Sequence, residues 1–323
     1  MSNFWAYISK KRKGQLSALI LLTILVSLAE VISIGAVLPF LGALTAPDRI
    51  LDIQFLQPLF IKLNILKPSE LLFPMTLIFI VAALLSGIMR LVLLWAQTRF
   101  GYAIGADISI SVYRHSLYLP YSSHVSKNSS EFISGITNKT ALIVTQVILP
   151  ILLIISSSII LMVIFIALLS INSLVAIFAT LGFASTYAFI LFLTKTRLLI
   201  DSDNISSKSN LLIKSLQEGF GGIRDVLIDG TQEVYCKIFR AVDLPLRKAQ
   251  AGITIIGQTP RFIVEAFGIT ILALLAYFLA LSPDGINNAI PVLGVFALAA
   301  QRLLPLLQQV YSSWTSIIGC SAL

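Results

Sequence analysis

The chain has 323 residues, of which 57% are hydrophobic and 12% charged, with a mean hydropathy of +0.93. A soluble domain runs nearer half apolar and a quarter charged, which excludes a soluble enzyme of this length, a disordered chain and a disulfide-stapled scaffold. An integral membrane protein remains, and the net charge of +8 then reads first as an orientation signal, because Lys and Arg collect on the cytoplasmic side of a membrane.

In chain order, Phe4, Tyr7 and Ile8 fall at helical spacing and predict a short helix lying in the inner interface. The basic cluster Lys10-Lys11-Arg12-Lys13 follows, then an apolar run over 16–46 whose single acid is Glu30. That run is about twice as long as the apolar part of a signal peptide, so it predicts a first transmembrane helix. Over 47–69, Leu56, Leu59, Phe60 and Leu63 predict a small amphipathic helix on the outer surface. Further apolar runs cover about 71–95, 141–169, 174–193, 262–281 and 289–307, for six spans in all. Ser170-Ile171-Asn172-Ser173 and Ser282-Pro283-Asp284-Gly285 predict tight connections between the third and fourth and the fifth and sixth spans.

With this topology, 17 of the 23 basic residues are cytoplasmic and only Arg49, Lys62 and Lys67 are external. The asymmetry places both termini in the cytoplasm, as expected for an integral protein of the cytoplasmic (inner) membrane. Cytoplasmic segments of about 45 and 68 residues separate spans two and three and spans four and five. Both keep apolar periodicity and little Pro or Gly, so the membrane helices are expected to continue into the cytosol as levers. The expected fold class is an all-α membrane protein, six spans with long cytoplasmic extensions. Cys236 and Cys320 lie far apart, and His115 and His124 lack carboxylate company, so no disulfide and no metal site is expected.

Two segments carry a family resemblance: YLPYSSHVSKNSSEFISGITN (118–138), with Pro120 breaking a descending helix, and SLQEGFGGIRDVLIDG (215–230). The second resembles the Glu-x-x-x-Gly-Ile-Arg/Lys-Asp/Glu-Val stretch of the ABC exporter transmembrane domain, and the likeness extends over about 1–320. It implies six helices working as a homodimer, with coupling segments around Ser129, Ser130 and Glu131 and around Gly221, Gly222, Arg224 and Asp225. These would rest on a nucleotide-binding domain. The run AEVISIGAVLPFL (29–41) and the outer amphipathic segment resemble the lipid-linked oligosaccharide flippases within that family. The complete members carry a Gly-x-x-x-x-Gly-Lys-Ser/Thr phosphate loop, whose backbone N–H groups and lysine cradle phosphates. No Gly-Lys dipeptide occurs here. No catalytic residue or bound cofactor is therefore expected on this chain, and ATP and Mg belong to a domain after residue 323 or on a separate protein. Membrane lipids are expected partners, and nucleic acid is not.

Five ionisable residues fall within or at the edge of the spans: Glu30, Arg90, Arg261, Glu265 and Arg302. At about 1.5 Å per residue, Arg90 and Arg261 lie ~30 Å from the outer boundary, Glu265 ~25 Å and Arg302 ~21 Å. Guanidinium forks bind phosphate oxygens bidentately. With the resemblance, Arg90, Arg261 and Arg302, with Glu265, are expected to line a cavity for a polyprenyl-diphosphate-linked glycan. Plainer readings are snorkelling of Arg90 and Arg261, an Arg302–Glu265 ion pair, and neutralisation of Arg261 by Glu265 four residues on. Glu30 has no assigned role beyond a polar lock against another helix. The rival functions are an exporter of peptides, drugs or other lipids, an ion-coupled secondary transporter, and a membrane enzyme acting on polyprenyl phosphates.

Overall fold

The computed structural model describes residues 10–45, 71–126, 133, 135–171, 173–280 and 285–320. All regular structure among them is helical: a membrane offers no water to unpaired backbone groups, and helices satisfy those groups within one segment. In chain order the helices are α1 (Lys10–Gly35), α2 (Val37–Thr45), α3 (Leu72–Leu117) and α4 (Tyr121–Ser126). Two π-turns, Gly135–Lys139 and Val144–Ile148, flank a single α-turn and lead into α5 (Leu149–Ile171). Then come α6 (Ser173–Gly221), α7 (Ile223–Ile228), α8 (Gln232–Ala280) and α9 (Gly285–Cys320). The segments expected at 4–8, 47–69 and 281–284 lie outside the described residues, as do Ser129, Ser130 and Glu131.

Five helical stretches among the described residues are long and apolar enough to cross a membrane: Lys11–Leu44, Leu72–Leu117, Gly135–Ser170, Thr180–Gly221 and Leu293–Cys320. Their outward faces are apolar. Leu91 is 67% exposed, Met162 66% and Phe192 82%, a surface that water would not tolerate over such an area. The stretch 262–281, read as a further span, forms the last part of α8 as far as Ala280.

Three helices are more than twice as long as the hydrocarbon core is thick. α3 has 46 residues and α6 and α8 have 49 each. At 1.5 Å per residue they are about 70 Å long, against a hydrocarbon core of about 30 Å. The expected continuation of the membrane helices is therefore present. Pairs four residues apart mark the polar lengths of α6 and α8: Lys214–Glu218 at 3.8 Å and Asp243–Arg247 at 3.1 Å. At the tips the helices turn through short elements. α3 stops at Leu117, Pro120 precedes α4, and α7 follows Gly222. Gly230, at φ +63°, takes the left-handed conformation that lets α7 hand over to α8.

The helices pack as two connected groups. α1 lies against α3 and α5, while α6 and α8 pair along their length, and α9 touches α5, α8 and α2. Val26 and Ile34 of α1, Leu93 of α3, Ile164 of α5 and Val295 and Ala299 of α9 share the central core. A second cluster joins Leu19, Phe100, Ile104, Val144 and Ile148. There Gly101 and Gly105, one turn apart on α3, let Leu149 and Val144 approach closer than a Cβ permits. The π-turn at Val144–Ile148 faces those glycines. A third cluster, with Phe183, Tyr187, Ile190, Val264 and Tyr311, ties α6 and α8 to α9.

Candidate functional site: two polar sites between the membrane helices

The apolar stripes of three helices each carry a charged side chain at the same place. On α1, Glu30 sits between Val26 and Ile34, and on α9 Arg302 sits between Ala299 and Leu306. On α3, Ser86 and Arg90 share a face one turn apart, above Leu93. Packing the stripes together brings these four side chains into contact.

Glu30 is fully buried. Its Oε1 accepts from Ser86 Oγ at 2.8 Å, from Arg302 Nη1 at 3.1 Å and from Arg90 Nε. Its Oε2 accepts from Arg302 Nη1 at 2.9 Å. Arg302 Nη1 also donates to Ser86 Oγ at 3.2 Å, so the hydroxyl both donates and accepts. The two arginines are partly exposed, 34% for the Arg90 side chain and 24% for Arg302. Arg90 Nη2 is buried with no hydrogen-bond partner among the described residues. Two guanidiniums on one carboxylate leave the cluster with a formal charge of +1.

Arg261 and Glu265 stand elsewhere. They lie one turn apart on α8, exposed, on the wall of a half-open groove of about 610 Å³ between α6, α8 and α9. Tyr187, Gln301, Gln308 and Ser312 also line it. Gln301, Gln308 and Ser312 recur at helical spacing, with Pro305 on the same face, which gives α9 a second, largely polar stripe beside its apolar one. Gln308 Nε2 donates to the Gly257 carbonyl at 2.7 Å, but among the described residues its Oε1 has no partner, and neither has the buried Tyr187 Oη. Gln309 Oε1 accepts from Ser157 Oγ of α5 at 3.0 Å.

The sequence-predicted set is thus divided. Arg90 and Arg302 meet on Glu30, while Arg261 and Glu265 face the groove. Arg302 pairs with Glu30 and not with Glu265, because α9 presents that face to α1 and α3. Arg261 and Glu265 form no ion pair with each other, so the neutralisation expected from their spacing is not made. Ser86 and the α9 glutamines were not singled out in the sequence. Their signal was available, as a serine one turn from Arg90 and as the 301/305/308/312 spacing.

At the far tips, Gly221 ends α6, Gly222 precedes α7, and Arg224 and Asp225 are exposed on α7. Val226 is buried beneath them, whereas Phe220, Leu227 and Ile228 are 60–71% exposed. Three large apolar side chains are thus exposed at the end of the long polar helices. No group of three or more metal-ligating side chains occurs among the described residues. Compared with known protein families and with curated proteins, the chain matches none.

Proposed function

We propose that this chain is the membrane domain of an ATP-driven ABC-type exporter, six spans per subunit in a homodimer of the cytoplasmic membrane. In this reading it moves an anionic lipid-linked oligosaccharide from the inner to the outer leaflet. The observation that carries it is the set of three helices of about 70 Å, whose polar halves end in short elements with exposed apolar side chains. A span that only lines a pathway needs ~30 Å. The additional length is a lever, and α7 is the surface through which a motor would push it.

The substrate assignment rests on the intramembrane charges. Arg90, Arg261 and Arg302 against Glu30 and Glu265 leave one positive charge in the apolar region, and intramembrane charge of this kind marks a substrate pathway. Because Arg90 and Arg302 are already held by Glu30, Arg261 is the guanidinium most open to a diphosphate. The same groove also favours a second reading. It carries an acid, a base and several amides, which would serve a peptide or another zwitterion in a peptide or drug exporter.

The test is cross-linking from the α7 tip in native membranes. A Gly222→Cys chain with Cys236 and Cys320 changed to Ser should capture a protein bearing a phosphate-loop ATPase. Capture of no such protein from membranes containing the assembled chain would sink the exporter reading. For the substrate, ATPase stimulation by polyprenyl diphosphates and not by peptides separates the two cargoes.

A further inference from the structure

A second groove, of about 450 Å³, lies between α1 and α3 where both apolar runs end. Its volume is within the roughly 300–1,000 Å³ typical of small-molecule sites. Arg12, Gln15, Trp95 and Arg99 line it, together with Ala18 and Leu22. Arg12 precedes the run beginning at Leu16, and Arg99 follows the run ending at Trp95, each by about one helical turn. Both therefore belong at headgroup level, where tryptophan also concentrates. The apolar side chains continue from there toward the hydrocarbon.

The two arginines are unequally committed. Arg12 donates through Nε and Nη2 to Asp107 at 2.7 and 3.1 Å, through Nη1 to Gln15 at 2.8 Å, and through Nη2 to the Ala103 carbonyl at 3.3 Å. Asp107 is thereby spent on Arg12. Arg99 forms no ion pair among the described residues. Its guanidinium carbon lies 5.3 Å from the Trp95 ring centroid, an attraction that fixes the side chain but leaves its charge uncompensated.

We infer that this groove holds one anionic phospholipid of the surrounding leaflet, with its phosphate on Arg99 and an acyl chain along Ala18 and Leu22. One uncompensated guanidinium matches the single negative charge of a phosphodiester, and a diphosphate would be left half-neutralised. The inference is independent of the transport reading, since it concerns the lipid around the protein and not its cargo.

The experiment is native mass spectrometry of the full chain in detergent, titrated with phosphatidylglycerol or phosphatidylcholine. A basic residue at a membrane surface contributes about 1 kcal/mol to binding anionic lipid, or about fivefold. Arg99→Gln is expected to weaken phosphatidylglycerol binding about fivefold or more. Lys13→Gln removes the same charge from an exposed position outside the groove and is expected to change binding less than twofold. Ala18→Leu narrows the groove at constant charge and should also weaken binding. Phosphatidylcholine should bind less tightly than phosphatidylglycerol to the wild type and equally to Arg99→Gln. Equal losses in Arg99→Gln and Lys13→Gln would show a diffuse basic surface and overturn the proposal. So would unchanged binding by Ala18→Leu, wild-type indifference between the two lipids, or displacement of phosphatidylglycerol by millimolar inorganic phosphate. Circular dichroism of each variant confirms that the helices are retained.

Discussion

Glu30 is the hub of the central cluster, and its replacement by Gln tests the packing directly. The side chain is wholly buried and receives Ser86, Arg90 and Arg302. Glu30→Gln keeps the shape and removes the charge, leaving two guanidiniums facing each other across a neutral amide. Breaking a buried ion pair by removing one partner costs about 3–5 kcal/mol. Arg90 and Arg302 keep 34% and 24% of their side-chain surface and can turn toward the headgroups, which moves the expectation to the lower end, about 3 kcal/mol. Arg302→Gln leaves Glu30 with Arg90 and Ser86, so it should cost less, about 1.5–3 kcal/mol, as for a hydrogen bond to a charged group. In the double variant the carboxylate and one guanidinium are both gone, and the two losses should fall short of additivity by about 0.5–3 kcal/mol. Thermal denaturation in one detergent, followed by far-UV circular dichroism, reads the ranking. The expected order from most to least stable is wild type, Arg302→Gln, Glu30→Gln. A Glu30→Gln protein that melts with the wild type, or strict additivity in the double variant, would refute the shared network.

The α3–α5 contact makes a second prediction: Gly105→Val pushes a branched side chain into Val144 and should destabilise by about 1–3 kcal/mol, as overpacking does, seen in the same melt. Two tyrosines should respond in opposite ways. Tyr311 Oη bonds Thr194 Oγ1 at 3.2 Å, so Tyr311→Phe should cost about 0.5–1.5 kcal/mol, whereas Tyr187→Phe removes a buried hydroxyl without a partner among the described residues and should be neutral or stabilising. On the proposed function, Arg261→Ala should raise the diphosphate-lipid concentration needed for half-maximal ATPase stimulation in the motor-equipped complex. Glu265→Gln should lower it, since it leaves the groove with a net positive charge. Opposite shifts, or none, would remove the groove from the anion pathway.

How much of this was legible beforehand follows from the range of each interaction. Residence in a membrane and the helical state of every described segment are local properties, set by composition over one span and by the need to satisfy each backbone group within it. The extra helix length was legible for the same reason: apolar periodicity persisted past the spans, so the helices had no cause to stop before Pro120 and Gly222. Partner choice was another matter. At comparable depths Glu30 and Glu265 were equally available to Arg302, and nothing in a one-dimensional pattern says which helix face meets which.

The sequence by itself determined that the chain enters a membrane, as helices, with its basic side marked, and where those helices outrun the bilayer. Only the tertiary structure decided that Arg302 reaches across 272 positions to Glu30 and that Arg261 and Glu265 are left on a groove wall. It also decided that Gly101 and Gly105 are points of close approach. The physical reason is that insertion is governed by each segment's own transfer free energy, whereas an ion pair depends on helix order and rotation. Those are settled by packing the whole stripe, and the charges meet where the apolar side chains around them fit.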